Sequence, residues 1–382
     1  MIDTLNYKDM RNAARKRLPR PIFEYIDRGT EDETSLLENR RSFDRVRIRP
    51  QILTGGFPRS SSIVLFDQPL SAPLAVAPTA CAGLVWYKGE IELAQAAQQA
   101  GIPFCAATEA ITSIEDIAHA TDASKLWFQL YVWESEVLSD ELIGRARQLG
   151  IKTLVVTVDT PVTPNREYNI KNGMGMPFRF SPRLMADVAA RPAWLLGVLG
   201  RYFMKGGAPS FANYPELYRK NIMGGGNKLQ MRHDANLTWD HIARLRKQWK
   251  GYLIIKGIAR PADALTALSL GADGIVVSNH GGRNLDSSVA PMDTLEQISD
   301  AIGDRLTVLL DSGVQRGSDV FKALALGAKA VMVGRAFLYG TAIDGAQGAT
   351  HAFNLLQREL DLTMGGAGCR SIDEINRTFV AR

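Results

Sequence analysis

A twelve-residue phrase recurs four times along the chain. AQQAGIPFCAAT (97–108), ARQLGIKTLVVT (146–157), ALSLGADGIVVS (267–278) and ALALGAKAVMVG (323–334) each pass from the tail of a helix through Gly to a short apolar run, then to a small or hydroxyl residue. Glycine just past a helix tolerates the left-handed cap conformation. An apolar run of about five residues with no alternation reads as a strand buried on both faces, as in parallel sheets. Leu138, Leu142, Ala146 and Leu149 share one helical face, and Pro261 occupies a first-turn position ahead of Ala264 and Leu268.

Further runs bring the expected strands to eight, near 74–78, 103–107, 126–131, 153–158, 252–256, 273–278, 307–311 and 330–334. Eight strands alternating with helices predict an α/β fold, the (β/α)8 TIM barrel, which typically takes about 250 residues plus insertions. The alternative is an open doubly wound sheet, but no GxGxxG follows the first strand. We read residues 1–382 as one domain. Residues 1–70 form an N-terminal helical cap and 71–382 the barrel, with a long insertion after the fourth strand at about 171–232. Within the insertion, Trp194, Leu195, Leu196, Val198, Leu199, Tyr202 and Phe203 are flanked by Arg191, Arg201 and Lys205. That mix suits a segment in a membrane interface, with about 181–209 as the peripheral contact. An active-site lid or an oligomer contact is the alternative.

Strand ends at the C-terminal face of such a barrel carry the chemistry. Here they present Ala77, Pro78 and Thr79; Gln129 and Tyr131; Thr157 and Asp159; Lys256; Ser278 and His280; Asp311 and Gly313; and Gly334 and Arg335. The last two loops read as a phosphate site, with Arg316 or Arg335 as its guanidinium. His280, between a strand end and Gly281-Gly282, is a candidate base near neutral pH, and Asp159 its carboxylate partner. Arg166 and Arg283 together imply an anionic substrate, most simply a carboxylate.

Other classes find little support. Basic residues exceed acidic ones only 45 to 40, and no Lys/Arg run is interleaved with aromatics, so no nucleic acid partner is expected. Cys81, Cys105 and Cys369 make no CxxC pair and no disulfide pattern, which suits a reducing compartment, and no metal site is expected. The start of the chain lacks the layout of a signal peptide, and no apolar stretch is long enough to span a bilayer. The expected location is cytoplasmic, peripheral on the cytoplasmic face of the inner membrane if the insertion meets lipid.

In combination, SNHGGRNLD (278–286), VDTPVTPNRE (158–167), KGI (256–258), LPRPIFEYIDRGTEDE (18–33) and ELDLTMGGAGCRSIDEI (359–375) are specific. Over nearly its whole length the chain resembles the FMN-dependent L-2-hydroxy acid dehydrogenase and oxidase family. The resemblance implies FMN as cofactor and oxidation of a 2-hydroxy acid to the 2-oxo acid. Tyr25 and Arg283 would hold the substrate carboxylate, Arg166 would be a further substrate-binding arginine and Tyr131 would contact the substrate hydroxyl or carboxylate region, with His280 as base and Asp159 as its partner. Lys256 would stand beside flavin N1 and O2. Ala77, Pro78, Thr79, Gln129, Thr157 and Ser278 resemble the ring contacts; Asp311, Gly313, Gly334 and Arg335 resemble the ribityl and phosphate contacts. A lactate- or mandelate-dehydrogenase-like enzyme passing electrons to a quinone or similar acceptor is implied, with an oxidase yielding hydrogen peroxide as the alternative. A homo-oligomer, as in the tetrameric relatives, is also implied.

Three positions depart from the family pattern. Gln315 stands where an arginine is usual, so phosphate binding would shift to Arg316 or weaken. Glu109 takes an apolar, aromatic or small position beside the substrate side chain. There it would favour a polar or cationic tail, or else pair with a basic neighbour. Ala80 follows Thr79, as in the oxidase-like branch, whereas the insertion points toward a membrane dehydrogenase.

Overall fold

A computed structural model describes residues 3–55, 58–175, 177–224 and 229–381. The eight expected strands form one closed barrel. They are β1 (Leu74–Val76), β2 (Phe104–Ala107), β3 (Leu126–Leu130), β4 (Thr153–Thr157), β5 (Tyr252–Ile258), β6 (Gly274–Val277), β7 (Thr307–Leu310) and β8 (Ala330–Val333). Neighbours pair in parallel in chain order, and β8 closes onto β1 through Val331–Leu74, Met332–Ala75 and Val333–Val76. The fold is a (β/α)8 TIM barrel.

Alternation along each strand divides the core in two. Inward residues, among them Ala75, Cys105, Trp127, Val155, Ile254, Val276, Leu309 and Met332, fill the barrel axis. Their outward neighbours, including Phe104, Phe128, Leu154, Val156, Leu253, Ile255, Ile275 and Leu310, pack with the surrounding helices. The continuous apolar runs are therefore buried on both sides.

The N-terminal region is less uniformly helical than its sequence implies. Helices α1 (Tyr7–Arg17), α2 (Arg20–Asp27) and α3 (Thr34–Arg45) are present. The strands Ile63–Leu65 and Gln68–Leu70, however, make a hairpin through Phe66 and Asp67, both at positive φ as a tight two-residue turn requires. Leu65 and Leu70 join the axial core, and Phe66 meets Trp127 edge-on at 5.7 Å. The hairpin thus plugs one mouth of the barrel, and the opposite mouth, where strands end, is left to the site.

The insertion is built on short helices: Glu167–Asn172, Pro182–Ala189, Pro192–Trp194, a π-helical turn Leu195–Gly200, and Arg201–Lys205. Part of the expected membrane face turns inward. Trp194 is 1% exposed and its indole N–H donates to the Leu84 carbonyl at 2.7 Å; Val198 is buried, and the Tyr202 hydroxyl accepts from the Lys88 N–H. These residues fasten the insertion to the barrel because an indole and a phenol can bury their rings only where their polar ends are satisfied. Leu196 (69% exposed), Phe203 (48%) and Met204 (77%) remain outward, alongside exposed Arg201 and Lys205. No helix among the described residues is long and apolar enough to cross a membrane.

Candidate active site

The open mouth holds a cavity of about 1370 Å³. Lining it are Tyr25 from α2, Ala77, Pro78 and Thr79 after β1, Glu109 after β2, Gln129 and Tyr131 at β3, and Thr157 and Arg166 after β4. Lys256 on β5, His280 and Arg283 after β6, Asp311 and Gly313 after β7, and Gly334 and Arg335 after β8 complete the wall. Residues far apart in sequence converge because every parallel strand delivers its C-terminal end to the same rim.

His280 follows β6 in the left-handed conformation (φ 59°), which turns its ring back over the mouth. Its Nδ1 lies 2.9 Å from Asp159 Oδ1, and its Nε2 3.2 Å from the Tyr131 hydroxyl. An ionised carboxylate can only accept, so Nδ1 carries the proton and Nε2 presents a lone pair. Burial lowers the His280 pKa; Asp159 pushes it up, but Lys256 and Arg166 add to the lowering, and the net shift is below the usual imidazole value. The ring is thus unprotonated at neutral pH. Burial alone would raise Asp159, yet His280, Lys256 and local hydrogen bonds outweigh it and keep the carboxylate ionised. Burial and the nearby carboxylates push the Tyr131 phenol up, so it stays protonated.

Asp159 reaches His280 because β5 bulges. The register shifts between Lys256 and Ile258, and Gly257 sits at φ 112°. A β-carbon there would lie 2.6 Å from the Asp159 β-carbon, so only glycine leaves that carboxylate its place. Asn284, which the sequence reading passed over, donates to the Asp159 carbonyl at 2.8 Å and to Thr160, and accepts from Arg166. Its signal was its place directly after Arg283.

Arg166 and Arg283 both line the cavity. The Arg283 guanidinium lies over the Tyr25 ring at 5.0 Å and uses Nη1 on the Tyr25 and Arg28 carbonyls. Arg166 uses Nε on the Arg283 carbonyl and Nη2 on Asn284. Burial, then the charge of Arg283, lowers the Arg166 pKa, a strain that a bound carboxylate relieves.

Deeper in, Lys256 Nζ donates to Asp311 (3.0 Å) and Ser278 (2.9 Å). Burial works against its charge, but Asp311 and Asp159 prevail and hold its pKa above the usual value. Ser278 does not line the cavity. Its hydroxyl accepts from Lys256 and from the His280 N–H. Arg316 does not join the cavity residues. It begins the helix Gly317–Ala325, its side chain pairs with Glu359, and it faces solvent away from the cavity. Arg335 does line the cavity, donating to the carbonyls of Ile26, Arg28 and Gly281, and Gln315 lines the same cavity.

Glu109 accepts from the Tyr214 hydroxyl at 2.9 Å and pairs with His233 at 3.2 Å. His233 in turn stacks on Tyr131, centroids 4.4 Å apart. Neither partner was legible, since both lie about 100 residues along the chain from Glu109, beyond β4.

Comparison with known proteins decides the family. The model of the FMN-dependent dehydrogenases matches residues 14–382. The chain belongs to this family. It is 38% identical over 376 residues to an L-lactate dehydrogenase of Caulobacter vibrioides, covering 98% of this chain and 96% of the relative. To an (S)-mandelate dehydrogenase of Pseudomonas putida it is 36% identical over 375 residues, covering 98% and 93%. The solved structure of a monotopic membrane protein, (S)-mandelate dehydrogenase, superposes with a TM-score of 0.92 at 36% identity over 99% of both chains. The protein is therefore an FMN-dependent oxidoreductase of the 2-hydroxy acid dehydrogenase family.

The cavity suits FMN by its own chemistry. Gln129 Nε2 and Thr157 Oγ1 are buried, in residues of its wall, without a hydrogen-bond partner among the described residues. Buried polar groups are rarely left so, and a flat ring edged with carbonyls and an N–H satisfies both.

Proposed function

We propose that the enzyme oxidises an L-2-hydroxy acid to the 2-oxo acid, with His280 as the base and a membrane quinone or similar carrier as final electron acceptor. The carrying observation is geometric: His280 has Nδ1 on the Asp159 carboxylate and Nε2 at the Tyr131 hydroxyl, in a cavity it shares with Arg166 and Arg283, each of which has N–H groups without a hydrogen-bond partner among the described residues. Arg283, Arg166 and Tyr25 grip the substrate carboxylate, which fixes the hydroxyl-bearing carbon near Nε2. Tyr131 hydrogen-bonds the substrate oxygen. Nε2 takes the proton, and Asp159 stabilises the imidazolium that results. Lys256, Gln129 and Thr157 hold the flavin ring, Ala77, Pro78 and Thr79 wall it, and Asp311, Gly313, Gly334 and Arg335 hold its ribityl phosphate arm. FMN held there would supply the redox chemistry as the acceptor of two electrons.

The exposed strip of Leu196, Phe203 and Met204 beside Arg201 and Lys205 supports attachment of the insertion to an anionic membrane. The monotopic relative is consistent with this. Ala80, on the cavity wall, favours the second reading, an oxidase that reduces O2. Anaerobic mixing with a panel of 2-hydroxy acids tests the reaction: at least one acid bleaches the yellow flavin, and no bleaching with any acid refutes it. In air, a dehydrogenase yields little hydrogen peroxide per acid oxidised; a yield near one to one establishes the oxidase.

A further inference from the structure

Glu109 places a carboxylate in the cavity that also holds Arg166 and Arg283, the residues proposed above to receive one. The residue is rigidly set. Thr108, just before it, donates to the Gln129 carbonyl at 2.7 Å and accepts from the Tyr131 N–H, while Asn213 donates to the Ala107 carbonyl. The Glu109 carbonyl accepts from the Cys81 N–H. Its side chain lines the same cavity as His280, Arg166 and Arg283, and its charge is felt by Tyr131, Tyr25 and Arg166.

The bland role for Glu109 is to staple the insertion to the barrel. One oxygen accomplishes that. Both the Tyr214 hydroxyl and His233 Nε2 engage Oε1. Oε2 has no hydrogen-bond partner among the described residues, and the side chain keeps 22% of its surface open. A carboxylate fixed through one oxygen, with the other left open in a substrate cavity, is an acceptor awaiting a donor. The row of parallel rings His280, Tyr131, His233 runs from the base to this carboxylate, so Glu109 lies along the wall beyond the reacting centre.

We propose that Glu109 sets substrate selectivity: its open oxygen accepts a hydrogen bond from a hydroxyl, amide or ammonium donor on the side chain of the 2-hydroxy acid, and it repels acids that carry a second carboxylate. This rests on the 2-hydroxy acid reading above. Hydrogen-bonding sites discriminate strongly against analogues that lack the matching group, because the site's own polar atom is then left unpaired.

The test compares kcat/KM within matched pairs of acids differing by one donor. A short pair is 2,3-dihydroxypropanoate and 2-hydroxybutanoate; a long pair is 2-hydroxy-3-(4-hydroxyphenyl)propanoate and its phenyl counterpart. The acid with a second carboxylate is 2-hydroxysuccinate. Wild type, Glu109→Gln and Glu109→Leu are measured as FMN-loaded holoenzymes, with flavin absorbance reporting an intact fold. Wild type prefers the donor-bearing acid of at least one pair by about tenfold or more, as a hydrogen bond to a charged acceptor implies. Glu109→Gln shrinks that ratio, Glu109→Leu brings it to one or inverts it, and 2-hydroxysuccinate improves in both variants. A wild-type ratio near one in both pairs, or an unchanged ratio in Glu109→Gln, overturns the proposal even if the Leu variant does not fold. If no acid reduces the flavin at all, the underlying reading fails and takes this inference with it.

Discussion

At the scale of single residues, the site is an arrangement of opposed charges that fixes protonation states. In the proposed reaction His280 must be unprotonated to act, and burial holds its pKa below the ordinary imidazole value. Activity measured as kcat/KM should therefore rise with pH through a single limb below neutrality and stay level above it. Asp159 raises the His280 pKa, so Asp159→Asn removes an upward push and moves the limb to lower pH while reducing the rate. A pH profile of the variant checks both the sign and the loss; a limb displaced upward contradicts the assignment. Some residue-scale facts were legible in the sequence. His280, Asp159, Lys256 and Arg283 sit at strand ends or in the loop just after, where strand periodicity alone locates them. Arg316 was misplaced because the side chain's direction depends on the helix it begins, and its partner Glu359 lies in a distant helix.

At the scale of elements, β5 and the insertion shape what the residues do. The bulge at Gly257 lets Asp159 approach His280. Gly257→Ala should displace Asp159, lowering kcat and shifting the pH limb in the same direction as Asp159→Asn, while the flavin stays bound. Kinetics identical to wild type would show that the bulge has no such role. The strands were readable because uninterrupted apolar runs follow helix-ending glycines. The hairpin at 63–70 was not, since its turn carries Phe66 and Asp67 in place of the usual glycine. The insertion was only half readable. Its apolar cluster looked uniform in sequence, yet the fold buries Trp194 and Val198 and exposes Leu196 and Phe203. Leu196→Asp with Phe203→Asp should therefore abolish sedimentation with anionic vesicles and leave thermal stability near wild type. Trp194→Ala should instead lower stability by about 3–5 kcal/mol, as expected for truncating a buried aromatic. Equal vesicle binding by the double variant and wild type refutes the membrane contact.

At the scale of the whole molecule, a closed barrel plugged at one mouth leaves a single functional face, over which α2 and the insertion's return converge. Tyr25 comes from before the barrel and His233 from the end of the insertion, so the cavity is completed only when both flanks are in place. The central claim is that this face brings an imidazole base to a carboxylate clamp beside the flavin. It is tested most directly by the anaerobic rate of flavin bleaching in His280→Gln, with FMN bound, against wild type and the best acid of the panel. The account predicts a loss of about 10²–10⁴-fold or more, the usual contribution of a positioned base, with flavin content unchanged. Bleaching at the wild-type rate would contradict it.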